Sequence, residues 1–389
     1  MSDLNRALEI LEALIGFDTV SAKSNMALVH WVRDYLARHG VESTLVPSAE
    51  GTKANLYATM GPRRPGGVVL SGHTDVVPVE GQTWSSEPFR MTRRDGRLYG
   101  RGTADMKGFI ACALAAVPDF IAAKLKTPVH LAFSYDEEVG CIGVPHLLAR
   151  LARDLPKPAA AIIGEPTMMQ VVTGHKGLAA WRTIVTGVEA HSSRIEEAVS
   201  AIFAASRFIE YLQGLAQELR DGVKDPAFEP PFTTINVGKI AGGQAMNIVP
   251  GQCMIDWEFR PLPSTDYQAL GARIRAYVET EMRPALKKKH PAANIELIQL
   301  AGGPGLMPEP NSIAEALARK LTGANRSGTV AYGTEAGLFQ RTGISAVVCG
   351  PGDIEQAHKP DEFVAVDQLA QCAAFLAKLK DWAAASPEF

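Results

Sequence analysis

The spacing of apolar residues predicts two packed helices at the start of the chain. Apolar side chains recur at helical intervals over residues 4–15 and again over residues 28–36. Ser24, just before the second run, is a residue type that favours a helix N-cap. The period then changes, because residues 55–60 and 67–71 are short apolar runs of the kind that form β-strands.

Potential catalytic or metal-binding side chains follow directly after several buried strand-like runs. These runs are residues 67–71, 128–134, 159–163 and 345–349. Helix-like segments lie between them, at residues 107–124, 142–153 and 312–321. This alternation predicts an α/β domain with a mostly parallel mixed sheet flanked by helices. Ligands bind beyond the carboxyl ends of the strands in such sheets, so four distant polar clusters are expected at one edge.

A second domain with a different pattern is predicted between residues 176 and 300. Its strand, helix, strand, strand, helix and strand are expected at residues 178–185, 196–219, 233–240, 252–260, 266–286 and 294–298. This order is the ferredoxin-like α+β arrangement, which has an antiparallel sheet of its own. We therefore predict a catalytic domain of residues 1–175 and 301–389, with residues 176–300 inserted into it.

Composition, net charge and cysteine content exclude several classes of protein. The chain has 389 residues, 46% of them hydrophobic, which is enough for more than one core. Its formal net charge of -3 provides no basic field for nucleic acid. The five cysteines are odd in number and widely spaced, which indicates a reducing compartment. No signal peptide or membrane span is visible, so we expect a cytoplasmic protein without nucleic-acid or membrane partners.

Acids and histidines cluster at the predicted sheet edge and in a glycine-rich loop. They are His73, Asp75, Asp105, Glu137, Glu138, Glu165 and His358. Carboxylates and imidazoles without cysteine suit borderline or hard divalent ions, and one carboxylate can bridge two ions about 3.5 to 4 Å apart. The set therefore predicts a dinuclear site with Asp105 as the shared ligand. Asp75 is better placed to fix the tautomer of His73 than to bind the same ion.

The adjacent pair Glu137 and Glu138 indicates a division of roles. Neighbouring side chains project differently, so one of the two can bind a metal while the other faces a water molecule on it. A carboxylate beside such a water can take its proton and deliver it to a leaving amine.

Five segments resemble, in order and spacing, the dinuclear zinc amidohydrolases and metallopeptidases, which include aminoacylases, desuccinylases and glutamate carboxypeptidases. The segments are Ser71-Gly-His-Thr-Asp-Val-Val-Pro78, Gly100-Arg-Gly-Thr-Ala-Asp-Met-Lys-Gly108, Ser134-Tyr-Asp-Glu-Glu-Val-Gly-Cys141, Gly164-Glu-Pro-Thr167 and Gln356-Ala-His-Lys-Pro-Asp-Glu362. Each motif alone is weak evidence, since a lone His-x-Asp or Glu-Glu is usually a pair of exposed residues on a protein surface. Together they cover essentially the whole chain, including the insertion.

The resemblance implies two zinc ions per subunit, with cobalt as a possible substitute. His73, Asp105 and Glu165 are expected to hold one ion. Asp105, Glu138 and His358 are expected to hold the other. The bridging aspartate is commonly followed by a cis peptide in this family, so a cis bond after Asp105 is predicted.

Further roles are carried over from the same resemblance. Glu137 is expected to be the general base and later the general acid. His191 is expected to stabilise the tetrahedral oxyanion, often in the active site of a partner subunit. Asn247 resembles a second polar contact to that oxygen, and Arg260 resembles an arginine that binds the substrate carboxylate. A turn role for Asn247 and an exposed strand position for Arg260 remain open.

The finer resemblance is to the acetylornithine deacetylase branch, carried by residues 164–167, 174–177, 332–339 and 355–363. It implies hydrolysis of N-acetyl-ornithine to ornithine and acetate in arginine biosynthesis, by a homodimer formed through the inserted domain. Glu335 is the candidate contact for the substrate ammonium group. Another N-acyl-amino-acid amidohydrolase, a succinyl-diaminopimelate desuccinylase, a metal exopeptidase and a non-catalytic binding protein remain alternatives.

Overall fold

The computed structural model describes residues 3–385, and the chain divides into two compact units. The first unit contains the chain up to Gly174, Leu306–Thr329 and the chain from Thr334 onwards. The second contains His175–Gly305 and the short segment Val330–Gly333. That short segment joins the second unit, although the sequence pattern had not included it in the insertion.

The first unit contains helices and strands in alternation. Its helices are α1 (Asp3–Ile15), α2 (Met26–Arg38), α3 (Lys107–Ala115), α4 (Val117–Ala122), α5 (Val144–Asp154), α9 (Ile313–Thr322), α10 (Ala336–Arg341) and α11 (Val366–Ala384). Its strands are β1 (Ser43–Pro47), β2 (Ala54–Met60), β3 (Val68–His73), β4 (Thr92–Arg94), β5 (Arg97–Tyr99), β6 (Val129–Ser134), β7 (Ala160–Pro166), β8 (Val172–His175), β13 (Gly328–Val330), β14 (Ser345–Gly350) and β15 (Phe363–Ala365).

An eight-stranded sheet in the order β1-β2-β6-β3-β7-β14-β8-β13 organises this unit. Its central strands β6, β3, β7 and β14 are parallel to one another, whereas β1 pairs with β2, β2 with β6 and β8 with β14 in antiparallel fashion. Every residue of β3, β6 and β7 is buried, as expected for strands covered on both faces. A small sheet of β15, β5 and β4 lies apart from the large one. The predicted mixed α/β class is therefore confirmed.

Two helix predictions in the first unit need correction in detail. The helix predicted at residues 107–124 is broken into α3 and α4, with Pro118 in the first turn of α4. Proline cannot donate the backbone hydrogen bond that a continuous helix needs, which explains the break. The second helix has Asn25 at its N-cap position, while the Ser24 hydroxyl donates to the Thr52 carbonyl.

The second unit has a four-stranded antiparallel sheet in the order β10-β11-β9-β12. Its elements are β9 (Leu178–Thr186), α6 (Ala201–Asp221), β10 (Thr234–Gly242), β11 (Gln252–Arg260), α7 (Tyr267–Tyr277), α8 (Arg283–Lys289) and β12 (Asn294–Gly303). Trp181, Trp257 and Phe208 pack at the centre of its core, with the two tryptophan rings stacked 5.8 Å apart. The order of elements matches the predicted ferredoxin-like pattern.

No helix among residues 3–385 is long and apolar enough to cross a membrane.

Candidate metal centre

The parallel strands bring the predicted ligands to one edge of the large sheet. His73 is the last residue of β3, and its register partner Ser134 is the last residue of β6. Glu137 and Glu138 follow β6 by a few residues, and Glu165 lies near the end of the adjacent strand β7. This clustering follows from parallel pairing, because the carboxyl ends of parallel strands meet at the same edge.

Asp105 reaches the same edge from the loop that precedes α3. Its peptide bond to Met106 is cis, which confirms the predicted geometry. Helix α3 lies close to β7 because Gly164 has no side chain, and a Cβ there would overlap the Phe109 ring. In the loop itself, Gly102 has a φ of +87° and a Cβ there would lie 2.8 Å from Val76.

Asp105 contacts both of the predicted histidine ligands. Its Oδ1 lies 2.9 Å from His73 Nε2, and its Oδ2 lies 3.4 Å from His358 Nε2. His73 Nε2 is also 3.7 Å from Glu165 Oε1, while His358 Nε2 is 3.0 Å from Glu138 Oε2. The Asp105 carboxylate therefore lies between two clusters, each with one imidazole and one glutamate.

Among the described residues, two groups of three side chains could each hold a metal ion. Within each group, the ligand atoms of the three side chains lie within 4.8 Å of one another. One is formed by His73, Glu137 and Glu165, and the other by His73, Asp105 and Glu138. Oxygen and imidazole nitrogen donors without thiolate fit zinc and other first-row divalent ions. The inclusion of Glu137 brings the predicted base close to the predicted ligands. His358 is the most accessible of these side chains, at 57% exposed against 1% for His73.

The ionisation of these groups reflects crowding of like charges in a buried place. Burial raises the pKa of Glu137 to about 8 and that of Glu138 to about 7, and neighbouring carboxylates add to the shift. Hydrogen bonds to Asp105 and Glu138 raise the pKa of His358 to about 10. Burial opposes the ionisation of Asp105, but hydrogen bonds with His358 and His73 keep its pKa below the usual range. A divalent cation at this position would lower the pKa values of these acids and keep them ionised.

Asp75 contacts His73 as predicted, but through its backbone carbonyl and not through its side chain. His73 Nδ1 donates to the backbone carbonyl of Asp75 at 2.9 Å, whereas the Asp75 carboxylate is 3.7 Å away. That carboxylate accepts the backbone N–H groups of Glu137 at 3.1 Å and Glu138 at 3.3 Å, and the Ser21 hydroxyl at 2.7 Å. The carbonyl therefore leaves His73 Nε2 free to bind a metal, and the carboxylate orients the Glu137–Glu138 segment.

Glu335 is buried, and its carboxylate accepts hydrogen bonds from two serine side chains. It has no exposed surface, one carboxylate oxygen accepts from the Ser71 hydroxyl, and the other accepts from the Ser134 hydroxyl at 2.8 Å. The two serines belong to the paired strands β3 and β6. The carboxylate therefore links two strands of the sheet, and its contact with a substrate ammonium group remains a prediction.

The remaining predicted residues belong to the second unit. His191 is exposed, with Nδ1 2.8 Å from the Ser193 hydroxyl oxygen. The Ser192 N–H donates to the Asn247 carbonyl at 3.0 Å, so the segments that contain His191 and Asn247 are neighbours. Arg260 pairs with Glu258 on the same strand, at 2.9 Å. The predicted substrate contacts of these three residues remain predictions.

Three polar residues near the ligands have no role in the predicted site. Glu362 and Arg101 form a buried ion pair at 2.7 Å, and the Gln82 side chain lies beside Arg101. Glu362 lies in the same motif as His358 and Arg101 in the same motif as Asp105, which was the available signal. The motifs alone do not show that a hydrogen-bond network joins them.

The sequence matches the peptidase family M20/M25/M40 over residues 69–381. A relative from Myxococcus xanthus named acetylornithine deacetylase is 36% identical over 384 residues, or 97% of this chain and 98% of the relative. A relative of the same name from Photorhabdus laumondii is 34% identical over 96% of both chains. An M20 family metallo-carboxypeptidase from Sulfolobus solfataricus has a TM-score of 0.79 at 19% identity, covering 97% of this chain and 99% of that one.

The fold and the cluster of acids and histidines are those of a hydrolase of the metallopeptidase type. The chain belongs to peptidase family M20/M25/M40. The predicted resemblance is thereby confirmed.

Proposed function

We propose that the chain is a zinc-dependent amidohydrolase that removes the acetyl group from N-acetyl-ornithine, giving ornithine and acetate. One observation supports this substrate above the others. Relatives named acetylornithine deacetylase match nearly the full length of this chain and of their own at 36% and 34% identity. The five free cysteines are all buried, which agrees with a cytoplasmic enzyme kept in reducing surroundings.

The proposed metal ligands are His73, Asp105 and Glu165 for one ion, and Asp105, Glu138 and His358 for the other. When bound, such ions polarise an acyl oxygen and lower the pKa of a water molecule. Each ring nitrogen already faces a carboxylate of its own set, at 2.9 Å for His73 and 3.0 Å for His358. The oxygen and nitrogen donors therefore suit two ions that share Asp105.

Glu137 has the position and ionisation expected of a proton carrier in this reaction. Its carboxylate lies within 4.8 Å of ligand atoms of His73 and Glu165. Burial raises its pKa to about 8, closer to neutral pH than that of an exposed glutamate. In the proposed mechanism Glu137 takes a proton from the attacking water and then transfers it to the nitrogen of the departing ornithine. Asp75 holds its backbone in place through the N–H groups of residues 137 and 138.

In the second unit, His191 is the proposed donor to the oxyanion, with Asn247 as a second contact. A donor of this kind contributes roughly 2.7 to 4 kcal/mol to catalysis. The pairing of the two segments through the Ser192 N–H supports a joint role. Arg260 is the proposed partner of the substrate carboxylate, because a guanidinium group can bind a carboxylate through two parallel hydrogen bonds.

A panel of substrates tests the choice of N-acetyl-ornithine. The zinc-loaded protein is given N-acetyl-ornithine, N-succinyl-diaminopimelate, N-acetyl-methionine and a dipeptide, and kcat/KM is measured for each. We expect N-acetyl-ornithine to have the highest value. A higher value for the succinyl compound would identify a desuccinylase, for N-acetyl-methionine a general aminoacylase, and for the dipeptide a peptidase.

We also propose a homodimer formed by the second unit with a second copy of the chain. In its sheet, β10 is an edge strand, and Ile240 on it is 52% exposed. Phe203, in the first turn of the neighbouring helix α6, is 67% exposed. An unpaired strand edge beside exposed apolar side chains is a favourable surface for pairing with a second copy.

Replacement of Phe203 by glutamate tests the dimer. The charge would have to be buried in the interface, so we expect sedimentation equilibrium to give the mass of one chain instead of two. Val223→Glu is the matched control, because Val223 is also 67% exposed but follows the other end of α6, about 30 Å away. A monomeric wild type, or a dimeric Phe203→Glu protein, would rule out this interface.

A further inference from the structure

Glu362 is a buried carboxylate bound entirely by hydrogen-bond donors from the loop that carries Asp105. It has no exposed surface. Its Oε1 accepts the backbone N–H groups of Ala104 at 2.9 Å and Asp105 at 3.0 Å. Its Oε2 accepts the Gly102 N–H at 3.0 Å and Arg101 Nη1 at 2.7 Å. Burial raises the pKa of Glu362, but these donors oppose the shift because each favours the ionised carboxylate.

Arg101 extends this network towards His358. Its side chain is 1% exposed, and Nη2 donates to Gln82 Oε1 at 2.7 Å. The guanidinium group also lies over the Trp84 ring, 5.0 Å from the ring centre. On its other side, Gln82 Nε2 donates to the backbone carbonyl of His358 at 2.8 Å. A continuous chain of hydrogen bonds therefore joins the backbone of Asp105 to the backbone of His358.

Both of the joined segments need such support. His358 has a φ of +63°, a left-handed conformation that a residue with a side chain rarely adopts, and its side chain is 57% exposed. The Asp105 loop contains Gly100 and Gly102, both with positive φ, and glycines leave the unfolded loop with many conformations. Neither Asp105 nor His358 lies within a helix or strand. For Asp105, the following helix α3 begins only at Lys107.

We propose that Glu362, Arg101 and Gln82 are positioning residues that hold Asp105 and His358 at the separation required to share one metal ion. The proposal rests on the ligand assignment of the proposed function. Hydrogen bonds behind the ligands orient them, and loss of such a partner typically lowers metal affinity by about 10- to 100-fold. The bidentate fork of Arg101 matters here, since one guanidinium group bonds to Glu362 and Gln82 at once.

Three variants test the network, with zinc affinity measured by competition with a chelating dye. Glu362→Gln replaces an acceptor oxygen by an NH₂ group that faces donors, so we expect an affinity loss of about 10- to 100-fold. Gln82→Ala removes the link to His358 and should act in the same direction with a smaller change. Arg101→Lys keeps the charge but has a single nitrogen in place of the two, Nη1 and Nη2, that bond to Glu362 and Gln82, so it should resemble Gln82→Ala.

A second measurement separates positioning from general loss of stability. The visible absorption of bound Co²⁺ reports ligand geometry, and we expect its spectrum to change in all three variants. Gln82 is partly exposed, so Gln82→Ala should keep the unfolding temperature of the wild type. Glu309→Gln is the control. Glu309 accepts the Ser345 hydroxyl at 2.6 Å, at the strand end opposite the ligands, and its loss should leave both zinc affinity and spectrum unchanged.

Wild-type zinc affinity and Co²⁺ spectrum in Gln82→Ala and Arg101→Lys would overturn the proposal, even if Glu362→Gln failed to fold. These measurements need no substrate. A wild-type protein that binds zinc but does not hydrolyse N-acetyl-ornithine would contradict the proposed substrate and leave the positioning role intact.

Discussion

Replacement of Glu137 by glutamine is expected to reduce kcat for N-acetyl-ornithine by about 10²- to 10⁴-fold, the usual contribution of a general base or acid. The amide has nearly the same shape, but it neither takes a proton from water nor returns one to the leaving amine. The zinc content of the variant should stay near that of the wild type, because the proposed ligands are other residues.

Glu138→Gln is the matched comparison for this variant. Glu138 is adjacent in sequence and lies 3.0 Å from His358, as a proposed ligand should. Its replacement is expected to lower zinc content as well as turnover, as measured by elemental analysis after dialysis. Glu137 also belongs to a possible donor group with His73 and Glu165. Loss of zinc in Glu137→Gln, or near-normal turnover, would show that its assignment as the base is wrong.

Replacement of Asp105 by asparagine is expected to weaken the binding of both metal ions. Its two carboxylate oxygens face different histidines, at 2.9 and 3.4 Å, and an amide offers one oxygen and no negative charge. Loss of a shared ligand should cost more than the roughly 10- to 100-fold that loss of an outer partner costs. Calorimetric titration with zinc measures this directly, and hydrolysis should fall in parallel.

His358→Gln separates the bridging role of Asp105 from simple ligation. His358 lies near Asp105 and Glu138. Its replacement should therefore weaken the binding of one metal ion and leave the affinity for the other at the wild-type value. If Asp105→Asn weakened the binding of only one metal ion, the bridging role would be contradicted.

The central part of the fold follows from the sequence because its strands are mostly apolar. A strand such as β3 is buried on both faces, so its continuous apolar run stands out from the surrounding loops. The proposed ligands could be located for a related reason. His73, Glu138 and Glu165 lie at or just after the ends of such strands, and parallel pairing brings those ends together. Asp105 instead comes from the loop that precedes α3, where the sequence motif and not a strand end was the signal.

Short edge strands and helix irregularities were not predictable in the same way. β1 is mostly half-buried and pairs only with β2 in the sheet order, so its sequence lacks a strong apolar signal. The helix predicted at residues 266–286 contains a π-helical turn at Val278–Met282, directly before α8. Pro284 lies in the first turn of α8, and the wider turn accommodates a residue that cannot donate a backbone hydrogen bond.

Hydrogen bonds around the site were the least predictable feature. A His-x-Asp spacing does not determine whether the aspartate carbonyl or carboxylate meets the ring, and in the structure the carbonyl does so at 2.9 Å. Glu335 similarly was predicted only as a substrate contact, and its hydrogen bonds with Ser71 and Ser134 could not be foreseen from the sequence. These choices depend on contacts between residues that are far apart in the chain.

A zinc titration of metal-free protein, in which hydrolysis of N-acetyl-ornithine is measured, tests the central claim most directly. The protein is stripped with a chelator, zinc is added in steps, and released ornithine is measured at each step. We predict no turnover without metal and a return of activity that is complete at two zinc ions per chain. Full turnover by the metal-free protein, or no hydrolysis at any zinc level, would contradict the account.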